Sequence, residues 1–257
     1  MPPSVTELAY LTSEAETYRR RFEARIVALP PGAVVLDRTW FYPVGGGQPT
    51  DQGTLARPGG PAVPISEVTR SGEAVFHRLG RMRGGARPDW TVGESVEGSL
   101  DWSRRYRHMR LHTAQHLLSA LFYRQTRLRT THVSMGGLGG TIDLEGPLPS
   151  STAPAEVQSE TESVIAADRP VRIRWVPRRD WEKNPSARSG LTALPESVDP
   201  VRLIEIEGAD ECPCGGTHLR ATGEIGGIAL GPVQRLPVTG ARIPFTLTER
   251  DPPRLPG

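Results

Sequence analysis

Several features that often define a protein class are scarce in this chain of 257 residues. It has two cysteines, too few for a disulfide framework, and a formal net charge of +2 excludes binding to nucleic acid through overall charge. No apolar run approaches the roughly 20 residues of a membrane-spanning helix, and the first residues lack the basic and apolar segments of a signal peptide. We therefore expect a cytoplasmic protein with no membrane partner.

Lysine is also nearly absent, because Lys183 is the only one and arginine carries the remaining basic charge. A segment that is rich in histidine, with His112 and His116, is preceded by Arg104, Arg105 and Arg110. Arginine suits bidentate contact with phosphate, which predicts RNA binding at these positions. The alternative is that they form an ordinary solvated surface.

Two short motifs, about a hundred residues apart, offer ligands for a metal ion. His112 and His116 lie four apart in an apolar helical pattern, so they project from one helix face. Cys214 and His218 also lie four apart, and Gly215 and Gly216 between them predict a tight bend. Three imidazoles and one thiolate suit tetrahedral zinc and suit calcium or magnesium poorly. The alternatives are histidines with ordinary hydrogen bonds, or a zinc ion that is purely structural.

Two nearby residues narrow this interpretation. Cys214 is a better ligand candidate than Cys212, because its spacing to His218 mirrors that of the histidine pair. Thr113 occupies the position of the general-base glutamate in the HExxH motif of zinc peptidases, so a peptidase is disfavoured.

The pattern along the chain predicts two domains and an α+β fold. Residues 1–95 contain short apolar runs separated by glycine and proline, which are typical of a small β-barrel or sandwich. Residues 96–248 combine a long helix from Asp101 or Ser103 to about Gln125, a second helix near 152–167 and several strands. We expect an irregular tail at 249–257.

A glycine-rich segment lies in the N-terminal half, and its central residues are Gly45, Gly46, Gly47 and Gln48. It matches neither a phosphate-binding P-loop nor a dinucleotide fingerprint. A hairpin turn is the favoured interpretation. The functional alternative is a loop that presents backbone N–H groups to RNA or to the metal pocket.

Three of these segments, HTAQHLLSA, CGGTH and FYPVGGGQPTDQG, together resemble the AlaX family of freestanding alanyl-tRNA editing proteins and the editing domain of alanyl-tRNA synthetase. The resemblance covers residues 20 to 248 and is closest to the medium-length form. It implies a translation-factor-like N-terminal β-barrel, followed by an α+β editing domain of the type shared with threonyl-tRNA synthetase. It also implies zinc bound by His112, His116, Cys214 and His218.

The resemblance further implies ATP-independent hydrolysis in trans of mischarged tRNA(Ala), chiefly Ser-tRNA(Ala), with Gly-tRNA(Ala) as a second candidate and no obligate protein partner. We predict that Thr113, Gln115 and Thr217, which lie beside the ligands, contact the substrate. The family's synthetase domain commonly has threonine at the position of Gln115 and glutamine at that of Met135, so Gln115 is the candidate sensor of the serine hydroxyl. A non-catalytic, zinc-stabilised tRNA-binding module is the alternative function.

Overall fold

The computed structural model describes residues 5–81, 88–149, 154–183, 194–237 and 240–248. The chain forms two compact units, and the division falls between Arg107 and His108. The tail expected at 249–257 lies outside the described residues. None of the helices in the described ranges is both long enough and apolar enough to cross a bilayer.

The N-terminal unit contains a closed β-barrel. Its strands, among the residues described, are β2 (Arg21–Ala28), β3 (Ala33–Leu36), β5 (Gly53–Ala56), β6 (Val63–Ser71), β7 (Ala74–Leu79) and β8 (Ser95–Leu100). They pair in the order β2-β3-β7-β6-β5-β8, and β8 returns to β2. Short elements lie outside the barrel, namely β1 (Glu7–Leu8), a 3-10 helix (Ala9–Leu11), α1 (Glu14–Thr17) and β4 (Arg38–Thr39).

Alternating side chains build the core of this barrel. In β2, Phe22, Ala24 and Ile26 are buried while the residues between them are exposed, as expected of a strand with one face in a core. The boundary expected at residue 95 falls at the first residue of β8, but that strand pairs with both β2 and β5 and completes the barrel. The division after Arg107 keeps β8 in the N-terminal unit. The barrel expected from the sequence is present, and the α+β class is correct.

The C-terminal unit contains two antiparallel sheets and helices. Its elements are β9 (Thr130–Gly136), β10 (Gly139–Leu144), α3 (Pro154–Ala166), β11 (Val171–Val176), α4 (Arg178–Trp181), β12 (Val201–Ile206), β13 (Asp210–Pro213), a 3-10 helix (Thr222–Ile225), β14 (Ile228–Leu230), β15 (Gln234–Arg235) and β16 (Ala241–Leu247). In the described residues, one sheet has the order β14-β16-β10-β9, with β15 also on β16, and the other has the order β11-β12-β13.

The long helix α2 (Trp102–Thr126) begins in the first unit and continues through the start of the second. Asp101 caps its first turn, because its carboxylate accepts the backbone N–H of Arg104 at 3.0 Å. The sequence predicts one apolar stripe on this helix, yet residues 108–122 are buried on every face. Many of these buried side chains are polar, and buried polar groups need partners. The histidine pair His112 and His116 lies within this buried stretch.

Candidate metal centre

Four side chains from two distant segments meet in the C-terminal unit. Helix α2 supplies His112 and His116, and the segment after β13 supplies Cys214 and His218. One ligand atom from each residue lies within 4.8 Å of all the others. The Sγ atom of Cys214 lies 3.5 Å from Nε2 of His112 and 3.3 Å from Nε2 of His218. The structure thus assembles the set expected from the sequence into a group that could hold a metal ion.

Cys214, and not Cys212, belongs to this four-residue group. Cys212 instead lies with His116 and Asp210 in a second group of possible ligand atoms, and neither cysteine forms a disulfide bond. The backbone N–H of Gly216 lies 3.2 Å from the Cys214 sulfur, and Arg202 donates a hydrogen bond to the Cys214 carbonyl oxygen. These contacts fix the local conformation of the segment and join it to β12.

Gly216 is required because the backbone passes directly over an imidazole ring. A β-carbon at this position would lie 2.5 Å from Nδ1 of His112 and closer still to Cε1 of the same ring. Gly215 has open space, since nothing lies within 4 Å of a β-carbon placed there. Neither residue adopts a positive φ angle. The second glycine therefore allows close approach of the backbone to the site, which differs from the tight bend expected of the pair.

His116 and His218 each have a protein partner at the ring nitrogen Nδ1. Nδ1 of His116 lies 3.1 Å from Oδ2 of Asp210, and Nδ1 of His218 lies 3.2 Å from Oγ1 of Thr113. The Thr113 oxygen also accepts the backbone N–H of Leu219 at 3.1 Å. With Nδ1 occupied, Nε2 of each ring is the nitrogen left for an ion.

The close packing of these groups changes their protonation equilibria. Burial raises the pKa of the Cys214 thiol, but the surrounding imidazoles, with His112 foremost, bring it well below its ordinary value. Burial lowers the pKa of His116, but the Cys214 thiolate and the Asp210 carboxylate raise it by more, to about 8. Burial and the neighbouring His112 lower the pKa of His218. The thiolate, which is the form that binds metal, is thus favoured.

The three predicted substrate contacts lie near the cluster in sequence, and all are buried. The Thr113 hydroxyl contacts Nδ1 of His218. Gln115 donates from Nε2 to Oγ of Ser119 at 2.8 Å, and Thr130 donates to the same Ser119 oxygen at 2.9 Å. Thr217 is fully buried. Contact of these residues with a substrate stays a prediction.

The predicted RNA contacts have different environments. Arg105 is fully buried in the N-terminal unit, where its guanidinium pairs with Asp51 and donates to the carbonyl oxygens of Thr17 and Trp40. In this position Arg105 stabilises the fold and offers no exposed surface to RNA. Arg104 is partly exposed and donates to the Thr50 carbonyl at 2.9 Å.

Arg110 is buried in the C-terminal unit and donates from Nε to the Ile225 carbonyl at 2.9 Å. The glycine-rich segment is a hairpin turn, as favoured from the sequence. Gly45 and Gln48 exchange two backbone hydrogen bonds, and Gly46 and Gly47 between them have φ angles of +55° and +80°. A contact of this turn with RNA stays a prediction.

Sequence reasoning missed the partners of the ligands, chiefly Asp210 and Arg202. Asp210 precedes Cys214 by four residues, a spacing that mirrors both ligand pairs. That spacing is the one local sign of its role, since its partner His116 lies 94 residues away.

Comparison with known proteins places these features in a family. A family model described as tRNA synthetases class II (A) matches residues 6–104, and the model for the threonyl and alanyl tRNA synthetase second additional domain matches residues 201–235, which include Cys214 and His218. The protein named alanyl-tRNA editing protein AlaX-M from Methanosarcina acetivorans is 34% identical over 248 residues, covering 95% of this chain and 100% of that protein.

The protein of the same name from Saccharolobus solfataricus is 32% identical, with coverage of 95% and 99%. The alanine–tRNA ligase of Pyrobaculum aerophilum is 35% identical over 95% of this chain, which corresponds to 27% of the ligase. The similarity to the editing proteins is therefore full-length on both sides. The chain belongs to the AlaX-M family of alanyl-tRNA editing proteins.

Proposed function

We propose that this protein hydrolyses the ester bond of mischarged tRNA(Ala), chiefly Ser-tRNA(Ala) and secondly Gly-tRNA(Ala), with zinc held by His112, His116, Cys214 and His218. The geometry of the four ligand atoms carries this proposal. Tetrahedral zinc with a Zn–S bond of about 2.3 Å and Zn–N bonds of about 2.0 to 2.1 Å places the sulfur and nitrogen atoms about 3.5 to 3.6 Å apart. The two sulfur–nitrogen separations of 3.5 and 3.3 Å agree with this distance to within about 0.2 Å. The names of the full-length relatives supply the substrate class.

The chain's contribution to such a reaction is mainly one of position. An aminoacyl ester is already reactive, so holding it in the correct orientation supplies much of the required acceleration. Bound zinc supplies Lewis acidity toward a carbonyl oxygen or toward water. Thr113 holds the His218 ring in the orientation that points Nε2 into the cluster. Gln115 is the proposed contact for the serine hydroxyl.

We assign tRNA binding to the partly exposed Arg104 and to the glycine turn at 45–48, whereas Arg110, like Arg105, is buried and is left out of this assignment. The barrel is proposed to be of the translation-factor type, and the proposed location is the cytoplasm, where translation consumes aminoacyl-tRNA. Arginine–phosphate contacts release counterions, so tRNA affinity should fall as salt rises. An affinity that does not change with salt would remove the arginines from this part of the proposal.

A second candidate is a zinc-stabilised module that binds tRNA without turnover. The observation that favours it is that all four ligands come from the protein, as in structural zinc sites. The two candidates differ in whether amino acid is released.

The deciding experiment measures release of serine, glycine and alanine from the correspondingly charged tRNA(Ala) by the purified protein, with and without a chelator. We expect chelator-sensitive release of serine, with alanine largely retained. Cys214→Ala should remove both zinc and activity, while the matched variant Cys212→Ser keeps all four ligands and most activity. Tight binding of tRNA without release would refute the hydrolase and support the module.

A further inference from the structure

The two ring nitrogens of His116 have different surroundings, because Nδ1 faces Asp210 and Nε2 remains for the ligand group. Nδ1 lies 3.1 Å from the Asp210 carboxylate, and the two side chains are 5% and 2% exposed. A carboxylate that accepts the Nδ1 proton fixes which nitrogen carries hydrogen, so the Nε2 lone pair is available to an ion.

The position of Asp210 is set by a β-hairpin. It is the first residue of β13, it pairs with Ile206 of β12, and the turn between them closes with a bond of 2.8 Å from Ala209 N–H to the Ile206 carbonyl. The same strand continues directly to Cys214. The segment 210–214 thus contains both the ligand Cys214 and Asp210, the partner of the ligand His116. The positions of Asp210 and Cys214 are therefore coupled.

We propose that Asp210 is a positioning residue that orients His116 as a metal ligand. The inference rests on the metal centre of the proposed function. Thr113 has the corresponding place at His218, but with a neutral oxygen at 3.2 Å. Carboxylate partners of this kind make the imidazole a stronger ligand, and their loss typically weakens metal binding by about 10- to 100-fold.

The competing interpretation is that Asp210 binds a second metal ion directly. Asp210, Cys212 and His116 place ligand atoms within 4.8 Å of one another, so they could hold a second ion directly. Such an ion would occupy Nδ1 of His116 in place of the hydrogen bond. Counting bound zinc per chain separates the two interpretations.

The test measures zinc affinity of the full-length protein by competition with a chromophoric chelator. The variants are Asp210→Asn, which retains an oxygen acceptor without charge, and Asp210→Ala, which removes the acceptor. Glu211→Gln is the matched control, because this neighbouring carboxylate pairs with Arg174 at 3.1 Å and belongs to neither ligand group. We expect a loss of about 10- to 100-fold in Asp210→Ala, a smaller loss in Asp210→Asn and no change in the control.

Thermal unfolding of the metal-free proteins and visible spectra of their cobalt forms complete the test. A purely structural Asp210 would lower metal-free stability and leave metal affinity unchanged, and that result overturns the inference. Tetrahedral cobalt spectra in wild type and Asp210→Asn, with weaker binding in the variant, support it. Two zinc ions per chain, the second lost in Asp210→Ala, would make Asp210 a ligand and overturn it as well. Absence of zinc binding by the wild type would instead refute the metal centre of the proposed function.

Discussion

Replacing Gly216 with alanine should disrupt the metal centre without adding or removing any ligand. The new methyl group would lie 2.5 Å from Nδ1 of His112, whereas ordinary van der Waals contact begins near 3.4 Å. The ring must therefore move by about 1 Å, and metal–ligand distances tolerate only about 0.2 Å. His112 is 3% exposed, so tightly packed neighbours restrict the movement of its ring.

The expected magnitude follows from the loss of one ligand out of four. Loss of an outer partner alone weakens metal binding by about 10- to 100-fold, so displacing His112 itself should cost at least about 100-fold. This corresponds to about 3 kcal/mol of binding free energy. Chelator competition measures the zinc affinity directly, and release of serine from Ser-tRNA(Ala) should decline in parallel.

Gly215→Ala is the matched control, because its methyl group would enter open space. Both substitutions remove one glycine from the same segment, and neither residue has a positive φ angle that alanine would strain. The difference between the two variants therefore reports the contact with His112. Equal zinc affinities in the two variants, with both metal-free proteins folded, would refute the reasoning.

Three further predictions concern buried groups. Burial lowers the pKa of His77 from 6.5 to about 4, so its neutral form is favoured in the fold, and the unfolded chain binds its proton first as pH falls. Denaturant titrations should therefore show that the free energy of unfolding of the wild type, relative to that of His77→Gln, falls by about 3 kcal/mol between pH 6.5 and 4. A difference between the two proteins that does not change with pH would contradict this. Asp51→Ala leaves the fully buried Arg105 without its ion partner and should lower the free energy of unfolding by about 3 to 5 kcal/mol, whereas a loss below 1 kcal/mol would show that the pair is unimportant. Gln115→Ala should reduce the ratio of serine to alanine release by about tenfold in the deacylation assay, and unchanged selectivity would remove Gln115 as the hydroxyl contact.

The elements that the sequence predicted well depend on local patterns. The helix expected from 101 or 103 to 125 is observed as Trp102–Thr126, because its apolar spacing and its capping aspartate act over one or two turns. The domain boundary expected at residue 95 separated β8 from the barrel for the opposite reason. Its partners β2 and β5 lie far away in the chain, and strand pairing leaves little trace in a local pattern.

The same distinction applies to the site. Both ligand pairs were visible because each has a spacing of four residues within a short motif. The pairing of Asp210 with His116 was invisible, since it arises only when the β12–β13 hairpin lies against α2. For Arg105 the sequence predicted a role that the structure does not support. Its position in an arginine-rich stretch indicated RNA contact, but the fold buries it against Asp51, and the sequence pattern of charges alone does not reveal such a partner.

The charges of the buried groups favour a divalent ion over a site without one. With neutral imidazoles, the Cys214 thiolate and the Asp210 carboxylate carry two negative charges in a region where His116 and Asp210 side chains are 5% and 2% exposed. Burial of uncompensated charge is costly, and protons on the imidazoles would compensate it only by occupying the lone pairs that bind metal. The proposed zinc ion would offset this charge while the histidines stay neutral, together with the buried Arg202 guanidinium that donates to the Cys214 carbonyl oxygen. In the proposed centre Asp210 therefore supplies one of the negative charges that favour a divalent ion, as well as orienting one of its ligands.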